Sequence, residues 1–167
     1  MTIARGDDDL HDLTPSAFIG SALFEKTFEE GMSLVEETAR YLDGRGRAES
    51  RELPRKIAIL YASESMRVTT RLMQAASWLL VQRAVHDREM DAEDAAGERY
   101  RLGSKEICLG GGGEGIDQLP ATLQSLLWRS DSLYRRIARL DDVLFRGAGA
   151  SPGVRTHFDK LEKAFGE

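Results

Sequence analysis

A chain of 167 residues with a formal net charge of −5 is long enough for one compact domain and short for two. Its single cysteine, Cys108, excludes an internal disulfide and points to a reducing compartment. The acidic balance gives no bulk attraction to nucleic acid, and apolar runs such as Trp78–Val81 are far too short to cross a membrane.

Residues 1–13 carry Asp7, Asp8, Asp9 and Asp12 with few apolar groups, a composition that predicts a disordered acidic N-terminus without the basic and apolar segments of a secretory leader. Thr14 followed by Pro15 predicts a helix start, because threonine caps free N–H groups and proline lacks the donor that would go unused there. Ala17, Ser21, Phe24, Phe28, Met32, Val35, Ala39 and Leu42 then recur at steps of three and four, and Gly44 follows as a stop. The stretch Gly44–Glu52 reads as a short polar loop, and short loops join antiparallel neighbours. From Leu53–Pro54 to about Arg88 runs the longest helical pattern, with Ala58, Tyr61, Ser65, Val68, Leu72, Ala75 and Leu79 on one stripe. Its C-terminal half is apolar on more than one face.

Asp91 predicts a cap for a short helix within Met90–Leu102, and Gly103–Asp117 reads as loop. The third long helix is predicted from Leu119–Pro120 to Arg146, with the heptad seam Leu119, Leu123, Leu126, Ser130, Leu133, Ile137, Leu140 and Leu144. Residues 147–167 begin as a glycine-rich linker, after which Val154, Phe158, Leu161 and Phe165 mark one face of a short amphipathic helix. The expected fold is all-α: a three-helix bundle of long antiparallel helices over 14–146, a flexible connection between the second and third, and a mobile tail.

No catalytic chemistry emerges from the motifs. The run Gly110–Gly113 suggests a phosphate loop, but Glu114 and Asp117 follow where Lys and Ser or Thr would be needed, so slack chain is the expectation. His86 and Glu89 form one reversed pair, too few for a bundle metal site, and no metal or cofactor is expected. Ser65 and Ser130 fall mid-seam, where small residues let helices approach. Arg45, Arg47, Arg51, Arg55 and Lys56 cluster around the first turn, with Arg67, Arg71 and Arg83 beyond; they read as a solvated face or as a dock for an acidic protein segment. The surplus apolar surface at Trp78, Leu80, Val81 and Val85 predicts a homodimer interface.

Two long motifs, FEEGMSLVEETARYLDGRGRAES (28–50) and LYASESMRVTTRLMQAASWLLVQRAV (60–85), resemble the first two helices of the alphaproteobacterial regulator of CtrA degradation family, also catalogued as a domain of unknown function. The resemblance covers roughly residues 16–145 and weakens in the third helix. It implies a dimerising three-helix bundle that is no enzyme but an adaptor delivering cell-cycle regulators, transcription regulators among them, to the ClpXP protease. In such a hierarchy a single-domain response regulator primes the protease, the adaptor docks next, and a cyclic-di-GMP-binding partner extends the range. The matched motif surface comprises Glu36, Glu37, Tyr41, Arg45, Arg67 and Arg71, the positions the resemblance implies for partner binding. It implies a cytoplasmic protein and leaves recruitment to a cell pole open. The residues themselves keep three alternatives in view: a helical enzyme or small-ligand sensor with a pocket between helices near Trp78 and Cys108, hinted at by Ser65, Thr69 and Ser130; a dimeric scaffold of another kind; and, more weakly, a DNA-binding regulator.

Overall fold

The computed structural model describes residues 20–145, within which all regular structure is helical. Residues 1–13, Thr14, Pro15 and the tail from Arg146 onward lie outside the described residues. Helix α1 spans Ala22–Asp43; Ser21 is extended and its Oγ accepts the Phe24 N–H at 3.3 Å. This helix is entered at Ser21, and the expected start at Thr14 lies outside the described residues. The expected polar loop at 44–52 is a helix, α2 (Arg45–Arg51), reached through Gly44, whose N–H closes on Arg40 O at 3.1 Å. The charged run favours helix because Arg45 and Glu49 pair across one turn at 2.7 Å. Helix α3 spans Arg55–His86, about 50 Å, with Pro54 at its start.

Two short helices, α4 (Ala92–Ala95) and α5 (Lys105–Leu109), and 3-10 turns at Glu98–Tyr100 and Ile116–Gln118 occupy the stretch before α6 (Ala121–Phe145). Asp91 is the residue before α4, as its sequence position predicts, though its side chain makes no capping bond.

Side-chain pairings fix the helix directions. Between α1 and α3, Arg83 holds Glu25 at 3.0 Å near one end, Gly31 lies under Leu79, and Tyr41 and Tyr61 close over Gly46 near the other. Between α1 and α6, Glu30 meets Arg136 and Glu37 meets Arg129, and just beyond α1, Arg45 of α2 meets Thr122. Both pairs of helices are antiparallel. In contrast, Arg71 reaches Leu127 O and Ser130 Oγ, and Trp78 reaches Asp141, so numbers rise together and α3 and α6 run parallel. The expectation of uniformly antiparallel helices is corrected here, and the physical reason is the connection. Its chain returns along α3: Gly103 N–H bonds to Gln74 Oε1, Ile107 O to Arg67, Cys108 O to Arg71, and Gly115 rests against Leu60 and Ile57. A parallel pair requires such a crossover, just as parallel strands do.

The core is one cluster drawn from all three long helices. On α1 it takes Phe24, Thr27, Gly31, Leu34, Thr38 and Tyr41, one step round from the expected stripe; Phe28, Met32, Val35 and Leu42 are only partly covered. Bulk misleads here, because Gly31 is what admits Leu79 to the α1 backbone: a Cβ would stand 2.8 Å from Leu79 Cδ1. On α6 the seam is buried from Leu119 to Ile137 and then drifts to Asp141 and Phe145, leaving Leu140 and Leu144 half-covered. A straight helix of 3.6 residues per turn drifts in this way from a strict seven-residue repeat.

Gly46 gives a direct test of the α1–α2 turn. A Cβ there would lie 2.6 Å from the Tyr61 hydroxyl and 2.8 Å from the Tyr41 carbonyl oxygen, which cannot swing aside. Gly46→Ala gains helix propensity of about 1 kcal/mol but forces overpacking of about 1–3 kcal/mol. We expect net loss, read as a lower urea midpoint at unchanged slope.

Candidate interaction surface

The arginines expected to face a partner are turned inward. Arg71 is buried, and its guanidinium donates to Cys108 O at 2.7 Å, Gly110 O at 3.2 Å, Leu127 O at 3.3 Å and Ser130 Oγ at 3.5 Å, with Asp131 at 3.2 Å. Burial lowers its pKa and Asp131 opposes that shift, yet an arginine remains charged. One turn earlier, Arg67 donates to Ile107 O at 2.5 Å and to buried Glu64 at 3.1 Å. The two side chains clamp the end of α5 and the glycine run to α3. Gly111 has φ +103° and a Cβ there would strike Arg67 at 2.6 Å, so at Gly110 and Gly111 the chain is bound rather than slack.

The other matched residues serve the α1 side. Arg129 grips Glu37 in a two-pronged pair at 2.6 and 2.7 Å and holds its carboxyl below the usual carboxylate range. Tyr41 is buried, donates to Glu49 at 2.7 Å, and has its pKa pushed up chiefly by burial. Arg45 bridges Glu49 and Thr122. Glu36 faces solvent and pairs only with Arg40 at 2.6 Å. The six residues thus divide between two sides of the fold, and Arg67, Arg71 and Tyr41 are committed to internal bonds.

Trp78 is likewise core: its Nε1–H donates to buried Asp141 at 2.9 Å, and Arg101 clasps the same carboxylate at 2.9 Å while lying 5.1 Å from the Phe145 ring. Its place in a dimer interface is withdrawn. Val81 and Val85 are half-covered, whereas Leu80 is exposed. Cys108 and Trp78 are packed in the core; Thr69 bonds back to Ser65 O and Ser130 accepts from Arg71, while the Ser65 hydroxyl makes no hydrogen bond among the described residues.

Two exposed apolar features stand out. Along α3, Ile59, Met66, Met73 and Leu80 are 64%, 71%, 67% and 53% exposed at intervals of seven, with Ala62, Thr69 and Ala76 between them. This is a second heptad seam, about 200° round the helix from Glu64 and Arg71. Its middle continues into an apolar groove of about 210 Å³ against Val35, Ala39 and Leu42 of α1. The seven-residue spacing was available in the sequence; mixing it with the core stripe concealed it. On the far side of α3, Trp128 of α6 is 74% exposed beside a cleft of about 320 Å³ lined by Arg71, Leu109, Gly110, Asp131 and Arg135. Ile107 is exposed nearby on α5. At the α2 end, Arg47, Arg51, Arg55 and Lys56 are exposed. No helix among the described residues is long and apolar enough to cross a membrane, and no metal-holding group of His, Cys, Asp or Glu occurs among them.

Over residues 16–165 the chain matches the family described as protein of unknown function (DUF1465). It belongs to that family. Among solved structures it is similar to RcdA from Caulobacter crescentus CB15, at 51% identity and a TM-score of 0.65, over 78% of this chain and 97% of that one. No curated protein matches. The RcdA-like relationship carried by the first two helix motifs is thereby shown for nearly the full length of the solved relative.

Replacing Arg71 with methionine leaves the Cys108 and Gly110 carbonyls without their guanidinium donor, while Leu127 O keeps the Ser130 hydroxyl, and should cost roughly 3 kcal/mol. Amide exchange should rise first over residues 105–112. Cys108 supplies a second test. Burial raises its thiol pKa, so the folded state favours the protonated form. Its contribution to stability is full below the free-thiol range, about 8.5, and is lost as pH climbs through that range towards the raised value. Folded protein at pH 8 should resist a thiol reagent that modifies the denatured chain at once.

Proposed function

We propose that this protein is a non-enzymatic adaptor that delivers cell-cycle regulatory proteins to the ClpXP protease. The observation that carries the reading is its 51% identity to RcdA across 97% of that chain. The fold's polar residues fit the role of a scaffold, since Arg71, Arg101 and Asp141 are consumed in holding helices and connection together. We further propose a cytoplasmic homodimer assembled along the α3 seam from Ile59 to Leu80. A self-complementary apolar seam with small residues between large ones suits two copies of one helix packed side by side.

Trp128 and Leu109 then lie on the other side of α3, free to anchor a protease component, the response regulator or a substrate. Exposed tryptophan beside a cleft is a common centre of binding energy. Moderate affinity suits delivery, because the substrate must also be released. A ligand-sensor reading has lost its support near Trp78 and Cys108, where the side chains fill the core.

Single substitutions separate the two surfaces. Met73→Asp should convert the dimer to monomer at tens of micromolar by light scattering without unfolding the chain. Trp128→Ala should preserve the dimer and lower capture of ClpX or the response regulator at least about tenfold, the loss typical of a central aromatic anchor. An intact wild-type dimer that captures neither component refutes the adaptor reading.

A further inference from the structure

The α1–α6 contact has a regular register. Moving towards the start of α1, Glu37 faces Arg129 and Glu30 faces Arg136, each seven residues apart on its helix. One further step of seven brings Leu23 opposite Val143. There the charged rung is replaced by two aliphatic side chains, 47% and 40% exposed, lining a groove of about 310 Å³ with Thr27, Arg136, Arg139, Leu140 and Asp142, whose carboxylate turns to Arg101 and Lys105. Leaving this apolar position uncovered forfeits burial of roughly 25 cal/mol per Å².

We infer that this groove is the docking site of the chain's own C-terminal segment, residues 154–165. Helix α6 ends at Phe145, two residues past Val143. Residues 146–153, including Gly147, Gly149, Pro152 and Gly153, can span up to about 26 Å, ample for the chain to turn back. Val154, Phe158, Leu161 and Phe165 then fall on one helical face over about 17 Å, the pattern of an amphipathic helix laid in a groove. Asp159 and Glu162 flank that face, and Arg139 lies on the groove wall without an ion pair among the described residues. Ahead of α1 in sequence, residues 1–13 carry four aspartates, and residues 14–19 add Phe18 and Ile19 as an adjacent apolar pair. The groove thus holds the tail as an internal ligand, and any protein that binds the tail must first displace it. This inference does not depend on the adaptor reading.

The full-length protein tests it by hydrogen exchange. The double variant Phe158→Asp, Leu161→Asp should accelerate exchange at residues 22–28 and 138–145 at least about threefold while leaving 59–80 unchanged. As a second measurement, a spin label on Lys26→Cys, exposed beside Thr27 and outside the groove lining, should broaden amide signals of residues 158–165, the native Cys108 being buried and unlabelled. Unchanged exchange or an absence of broadening overturns the inference. So does acceleration produced by Phe18→Asp in place of the tail variant, which assigns the groove to the N-terminal segment. Protection that vanishes on dilution assigns it to a second copy and overturns it as well.

Discussion

The fold depends on the buried guanidinium of Arg71. The parallel placement of α3 and α6 obliges the chain to travel back along α3, and a returning chain carries carbonyls that need donors once they leave water. Arg71 supplies donors to Cys108, Gly110 and Leu127 at once, joining the connection to both helices through one side chain. Arginine suits this place because it stays charged and its planar fork presents several fixed N–H groups. Lysine has one compact ammonium and could not reach all three carbonyls together.

Because the returning connection covers one side of α3 and the other long helices cover the adjacent side, only one strip of α3 faces outward. That strip is where Ile59, Met66, Met73 and Leu80 recur. The seam and the Arg71 clamp therefore lie back to back on a single helix. A helix that is apolar on two sides has little net amphipathicity, and its burial can be assigned only once its neighbours are known. The clamp also accounts for Gly111, where the Arg67 side chain passes the place a Cβ would stand and φ is +103°.

The existence of three long helices was legible in the sequence, since heptad-like repeats over twenty or more residues leave little choice. So were the core positions of α6 as far as Ile137 and the start of α3 at Pro54. Helix direction was not legible. The step from α3 to α6 looked like slack chain because its polar and glycine-rich composition hides the order that Arg67, Arg71 and Gln74 impose from a distance. The α1 face was misread by one step because side-chain size was taken as the guide to burial. Gly31 occupies the tightest contact instead, with Thr38 buried and Phe28 and Met32 at the edge. Among the site residues, Arg67 and Arg71 were conspicuous for the right reason, their charge on a packed helix, and assigned to the wrong partner. Trp78 was conspicuous as a bulky apolar residue, but its indole N–H needed a buried acceptor, and Asp141 lies some sixty residues away in sequence, where no local pattern could find it.

The α1–α6 rungs show how alignment and recognition can be separated. The pairs Glu37–Arg129 and Glu30–Arg136 are partly solvated, so each contributes modestly to stability. Their value lies in register, because sliding α6 by one turn would set Leu133 and Leu140, or Ser125 and Ser132, opposite Glu37 and Glu30 and leave both pairs unmade, and α6 must stop where its Asp141 meets Trp78 and Arg101. With register fixed by charges at the middle, the two ends of the contact are released from that duty. One end carries the basic α2 cluster and the other the aliphatic pair Leu23 and Val143. The same economy operates on α3, where buried charge secures the inner side and the outer seam is left to apolar residues. A scaffold whose internal order is set by ion pairs can change its exposed apolar faces to suit new partners without losing its fold.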